Sequence, residues 1–211
     1  MSWPHILSLS RVAISIPVAA LALSGNGNAL LLAALLFAAA SLTDLLDGPM
    51  ARRGRTVGPL GVYLDTTADK VLVSVVLIAM STAGIVDAWM AIVIVGREFL
   101  VSGVRTLAAV QGFVISANFA GKIKTTVTLI AIVLLLLVAS AQHGSVLSHV
   151  GHLSAWRSIA WFAMFVGVIL TIFSGAKYIV DAQPLFFPDG RAAGRAISDP
   201  QPAKVDRSSR P

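Results

Sequence analysis

The chain alternates long apolar runs with short polar breaks. Residues 11–24 are almost wholly apolar and are followed by Gly25-Asn26-Gly27-Asn28, which carries turn chemistry but no charge. A second apolar run covers 29–46. Its helical register is expected to continue through Arg52, because Asp44, Asp47 and Gly48 fall at spacings of three and four. Pro49 removes a backbone donor and crowds the carbonyl of Leu45, so a local kink is expected there. The third run begins within 58–61 and ends near Thr82, the fourth covers 89–107, the fifth starts at Gly121 and reaches Ala141, and the sixth covers 159–180. Each run approaches the length that an α-helix needs to cross a bilayer.

The expected fold is therefore all-α, a polytopic membrane protein with six transmembrane helices. Trp3, Pro4 and His5 ahead of Ile6-Leu7 suggest a short N-terminal interfacial helix before the first span. Arg11 precedes a run without a clear small-residue cleavage site, so that segment is expected to be retained rather than removed as a signal. The polar segment 142–158 is expected to be a solvated loop, and 1–187 a single six-helix transmembrane domain. From Pro188 to Pro211 the chain is rich in Pro, Gly, Ser and charge without apolar periodicity, which predicts a disordered tail over 188–211.

Composition supports a lipid environment. Only 12% of the residues are charged and 56% are hydrophobic, against about a quarter charged in an ordinary soluble domain. The net charge of +6 sits mostly at the edges of apolar runs, where it sets topology and meets anionic head groups, so lipid is the expected partner rather than nucleic acid. The loop at 52–55, the 105–124 region and the tail are basic, whereas the turns at 25–28 and 84–87 have no Lys or Arg. Both termini and the 44–69 stretch are accordingly expected on the cytoplasmic side. The absence of Cys removes disulfides, thiolate metal sites and cysteine nucleophiles.

Against this background the acids stand out. Asp44, Asp47, Asp65 and Asp69 lie at the borders of the second and third runs, where ionisable groups are costly and default to a functional reading. Singly, each could pair with Arg52, Arg53, Lys70 or Arg97. Together they repel one another unless a cation sits between them, and hard oxygen ligands suit Mg²⁺ or Mn²⁺. Gly48 and Gly61 leave room for close helix packing or for a ligand against the backbone, and Arg52 can neutralise phosphate as a planar fork.

The pattern Asp44-x₂-Asp47-Gly48-x₂-Ala51-Arg52-x₈-Gly61-x₃-Asp65-x₃-Asp69 resembles the complete signature of the CDP-alcohol phosphotransferases. That resemblance implies a six-helix membrane enzyme, typically a homodimer, that transfers a phosphatidyl or related group from a CDP-linked donor to an alcohol and releases CMP. It implies that Asp44, Asp47, Asp65 and Asp69 hold two divalent cations, Mg²⁺ or Mn²⁺, and that Asp69 also acts as general base on the acceptor hydroxyl. Asp47, Gly48, Ala51, Arg52 and Gly61 would shape the donor's nucleotide site.

The second half of the chain bears on the alcohol. Gly96-Arg97-Glu98, Ser102, Arg105 and Gly121-Lys122-Ile123-Lys124-Thr125 are similar to segments of the bacterial phosphatidylglycerophosphate synthases within that family. The resemblance covers residues 7–181, and Pro49 departs from it. It implies CDP-diacylglycerol and glycerol 3-phosphate as substrates and a bacterial inner-membrane location with the active site facing the cytoplasm. Arg97, Arg105, Lys122 and Lys124 would bind the acceptor phosphate; otherwise they snorkel and set topology. Glu98 is expected to orient an arginine. Another acceptor, such as inositol phosphate, serine or phosphatidylglycerol, is the competing enzyme reading. A cation-coupled transporter is the competing class, and it would place ionisable groups at several depths. His149 and His152 could share a helical face as metal ligands, but with His143 they fall on the side away from the carboxylates and are expected to be solvated. Trp156 and Trp161 are expected to be interfacial anchors.

Overall fold

A computed structural model describes residues 3–51, 59–111, 119–149 and 151–183. Among them regular structure is entirely helical: α1 (Trp3–Leu23), α2 (Gly27–Ala51), α3 (Pro59–Thr82), α4 (Ala88–Val110), α5 (Phe119–Gln142), a short 3₁₀ turn (Val146–His149) and α6 (Leu153–Asp181). The tail expected over 188–211 lies outside the described residues.

The helix ends follow from local chemistry. Asn26 caps α2, its side-chain oxygen accepting from the N–H of Asn28 at 2.9 Å. At the end of α3, Gly84 adopts φ +71°; the N–H of Ile85 reaches Met80 O at 2.9 Å and that of Gly84 reaches Ser81 O at 3.1 Å, which is the Schellman arrangement. Gly27 is required for a different reason. A Cβ there would lie 2.5 Å from Ser145 N and 2.6 Å from His143 O, so only glycine lets α2 start against the end of α5. Ser140 Oγ, buried in α5, donates to Gly27 O at 2.8 Å and ties the two together.

The main helix contacts close a ring in the order α1, α2, α5, α6, α4, α3 and back to α1, with α3 also touching α5 across the middle. Phe37, Leu30, Leu77, Met80, Met90, Ile94, Ile132, Leu136 and Met164 fill the interior, while Ala33, Ala34, Ala131 and Ala160 let backbones approach. The outside is also apolar. Ile92, Phe173 and Val110 are 70%, 71% and 80% exposed, a surface that fits lipid better than water. Two stretches, Ile123–Gln142 and Leu153–Asp181, are long and apolar enough on their own to cross a bilayer. With the family reported below, they indicate a membrane protein.

Two expectations need correcting. The N-terminal interfacial helix is not a separate element: α1 runs unbroken from Trp3 to Leu23. No Gly separates Ile6 from Arg11, and Arg11 is buried at 4% exposure rather than marking a water boundary. The segment 142–158 is not wholly a loop, because α6 begins at Leu153 with Ala155 N–H bonded to His152 O at 2.9 Å. Ser154, Arg157 and Ser158 are polar but exposed, and an exposed polar residue does not stop a helix. α2 carries its helical backbone past Pro49 to Ala51.

Candidate active site

α4 carries Arg97, Glu98 and Arg105 in an otherwise apolar helix, so these charges must find partners inside the bundle. Glu98 Oε1 accepts from Arg97 Nη1 at 3.1 Å and from Lys124 Nζ of α5. Lys124 is 3% exposed, which makes this ion pair a buried one. Lys70 of α3 joins Glu98, Lys124, Thr125 and Thr128 around a cavity of about 70 Å³. Residues of three helices thus line one cavity.

The arginines lean the other way, onto α6. Arg97 Nη2 donates to Ser174 Oγ at 2.7 Å, and Arg105 Nε donates to Tyr178 Oη at 3.1 Å. The Arg105 guanidinium also lies 5.5 Å from the centre of the Tyr178 ring, within reach of a cation–π contact. Gly175 makes room for this packing, since a Cβ there would come within 3.0 Å of Arg97 Cγ. Lys70 and Lys124 thus line the cavity beside Glu98, and Arg97 and Arg105 reach α6 one turn apart. Such a cluster is suited to a further anion, and a phosphate would bring several acceptor oxygens to it.

The signature residues are placed by their helices. Asp44, Asp47, Gly48 and Ala51 lie towards the C-terminal end of α2, and Gly61, Asp65 and Asp69 in the first half of α3; both helices pack on α1. Arg52 lies outside the described residues, as do the side chains of these signature positions and of Lys122. Asp69 immediately precedes Lys70, so the α3 segment that carries the signature also reaches the cavity of Glu98 and Lys124. Among the described residues no three His, Asp or Glu gather as metal ligands. His149 ends the 3₁₀ turn and His152 precedes α6 in a left-handed conformation, φ 59°, so the two do not share one helix.

Residues 1–174 match the family model described as CDP-alcohol phosphatidyltransferase. The chain belongs to this family. Its relatives include a CDP-diacylglycerol--glycerol-3-phosphate 3-phosphatidyltransferase of Bacillus subtilis (strain 168), 41% identical over 78% of this chain and 75% of the relative. A protein of the same name from Rickettsia bellii (strain RML369-C) is 35% identical over 87% of this chain and 96% of the relative. A probable phosphatidylglycerophosphate synthase of Mycobacterium tuberculosis (strain CDC 1551 / Oshkosh) is 34% identical over 84% of this chain and 80% of the relative. The resemblance carried by Asp44 to Asp69 is thus borne out, and the chain is an enzyme of the CDP-alcohol phosphatidyltransferase family. Ser174, Gly175 and Tyr178 contact Arg97 and Arg105, and none of the three stood out in the sequence. Their signal was a hydroxyl, a glycine and a phenol within one turn of each other in an apolar run.

Proposed function

We propose that this CDP-alcohol phosphatidyltransferase transfers the phosphatidyl group of CDP-diacylglycerol to glycerol 3-phosphate, giving phosphatidylglycerophosphate and CMP. The names of its relatives support that choice of substrates. The observation that carries it is the cavity in which Lys70, next to Asp69, meets Glu98 and Lys124. Lysines from α3 and α5 in one cavity support a phosphate-binding role for this region.

The donor set fits a divalent metal, because Asp44, Asp47, Asp65 and Asp69 offer only hard oxygens at helical spacings of three and four. Mg²⁺ or Mn²⁺, when bound, supplies charge neutralisation to the donor's pyrophosphate. Asp47, Gly48, Ala51, Arg52 and Gly61 shape the cytidine side of the donor site, and Arg97, Arg105, Lys122 and Lys124 hold the acceptor phosphate. Asp69 takes the proton of the acceptor hydroxyl as its oxygen bonds to the phosphatidyl phosphorus. The bond from that phosphorus to the CMP oxygen breaks, and CMP leaves.

All six helices cross the bacterial inner membrane in this reading, with both termini and the active site cytoplasmic, and two copies form a homodimer. The apolar exterior and the gathering of basic residues towards one end of the bundle support that orientation. Thin-layer analysis of the lipid made by purified protein tests the acceptor. Phosphatidylglycerophosphate from glycerol 3-phosphate alone is the expected product; a lipid formed instead from serine, inositol phosphate or phosphatidylglycerol would reassign it.

A further inference from the structure

Arg97 and Arg105 are eight residues apart, so their backbones stand roughly 12 Å apart along α4. Their partners on α6, Ser174 and Tyr178, are four residues apart and stand only roughly 6 Å apart along that helix. The deeper residue of one helix meets the deeper residue of the other, because α4 and α6 both start at the end where Asp87 bonds Trp161. Side chains rooted far apart are thereby drawn towards each other. Bringing two guanidinium groups together costs repulsion, and neither Ser174 nor Tyr178 carries charge to offset it. Arg97 Nε adds to that cost, being buried with no hydrogen-bond partner among the described residues.

We propose that Ser174, Gly175 and Tyr178 are positioning residues that converge Arg97 and Arg105 into one grip on the phosphate of the acceptor. Ser174 holds the end of the Arg97 fork. Gly175 leaves the volume through which the Arg97 stem passes. Tyr178 holds Arg105 through its hydroxyl, with the ring centre 5.5 Å from the guanidinium carbon. α6 is then a template for acceptor recognition as well as a span. Pre-set forks lose less freedom when a dianion arrives, and the gain falls on acceptor binding rather than on donor binding.

The inference rests on the acceptor-phosphate reading above, and steady-state kinetics of the purified full-length enzyme separate the two. Tyr178→Phe is expected to raise the KM for glycerol 3-phosphate about tenfold, and Ser174→Ala about fivefold, as loss of a hydrogen bond to a charged group implies. The KM for CDP-diacylglycerol and the melting temperature should stay at wild-type values. Ser174→Thr, which keeps the hydroxyl, should recover most of the loss, and Gly175→Ala should raise the same KM through bulk alone. If Arg97→Ala and Arg105→Ala raise the acceptor KM while Tyr178→Phe and Ser174→Ala do not, the positioning role is overturned and the acceptor site stands. If the arginine variants leave that KM unchanged, both are overturned. Equal shifts in the donor KM and the melting temperature would show a merely structural role and overturn the positioning role as well.

Discussion

The two ends of the helix ring are held by different physics. At the end where α2, α4 and α6 begin, hydrogen bonds and stacked rings close the structure. Ser140 bonds the carbonyl of Gly27, Trp161 Nε1 donates to Asp87 Oδ2 at 2.9 Å, and Trp161 stacks on Phe165 with ring centres 5.4 Å apart. Trp89 adds an edge-on contact to the same Phe165 at 6.3 Å. At the other end Arg97 and Lys124 pair with Glu98 beside Lys70, and Arg97 and Arg105 are steadied by Ser174 and Tyr178 of α6. One end is closed by hydrogen bonds and ring packing, and the other gathers ionisable side chains from α3, α4 and α5 around one cavity. Ionisable groups held inside an apolar bundle default to a functional reading.

Mutations should separate the ends, beginning with the largest effect. Asp69→Asn, which removes the proposed base without changing size, should lower the rate of CMP release by about 10²- to 10⁴-fold and leave the melting temperature unchanged. Glu98→Ala strands Lys124 and Arg97 without their shared carboxylate. A loss of about 3 kcal/mol is expected, read as a lower midpoint in a denaturation series, together with reduced activity. Gly27→Ala belongs to the end where α2 begins. Overpacking against Ser145 and His143 should cost about 1–3 kcal/mol by the same measurement, while both substrate KM values stay at wild type. Trp161→Phe keeps the stacking and removes the bond to Asp87, for about 1 kcal/mol and no kinetic change. A Gly27 or Trp161 variant that shifted the acceptor KM would break the division between the ends.

The turns at the end where α2 and α4 begin and the family were the more legible parts of the sequence. Gly25-Asn26-Gly27-Asn28 and Gly84 read as helix boundaries because their turn chemistry is local, and the eight positions from Asp44 to Asp69 carry the family at fixed spacing. The α6 contacts were not legible, for a physical reason. A hydroxyl inside an apolar helix commonly bonds back to its own backbone, as Thr171 Oγ1 does to Gly167 O at 2.7 Å and Ser102 Oγ to Glu98 O at 2.6 Å. Ser174 has the same surroundings in sequence, yet its oxygen meets Arg97 on another helix. Only tertiary packing distinguishes the two. The start of α6 was hidden in a similar way, since 153–158 is polar because it is exposed, and not because it is irregular. In α1, burial of Arg11 let the helix continue where charge alone suggested a boundary.

The charged end carries the proposed phosphatidyl-transfer site, and release of CMP tests that most directly. Purified full-length protein in mixed micelles with CDP-diacylglycerol and Mg²⁺ or Mn²⁺ should release CMP only when glycerol 3-phosphate is added, with a chelator abolishing release. CMP release that ignores glycerol 3-phosphate, or no release with both substrates and metal present, would contradict it.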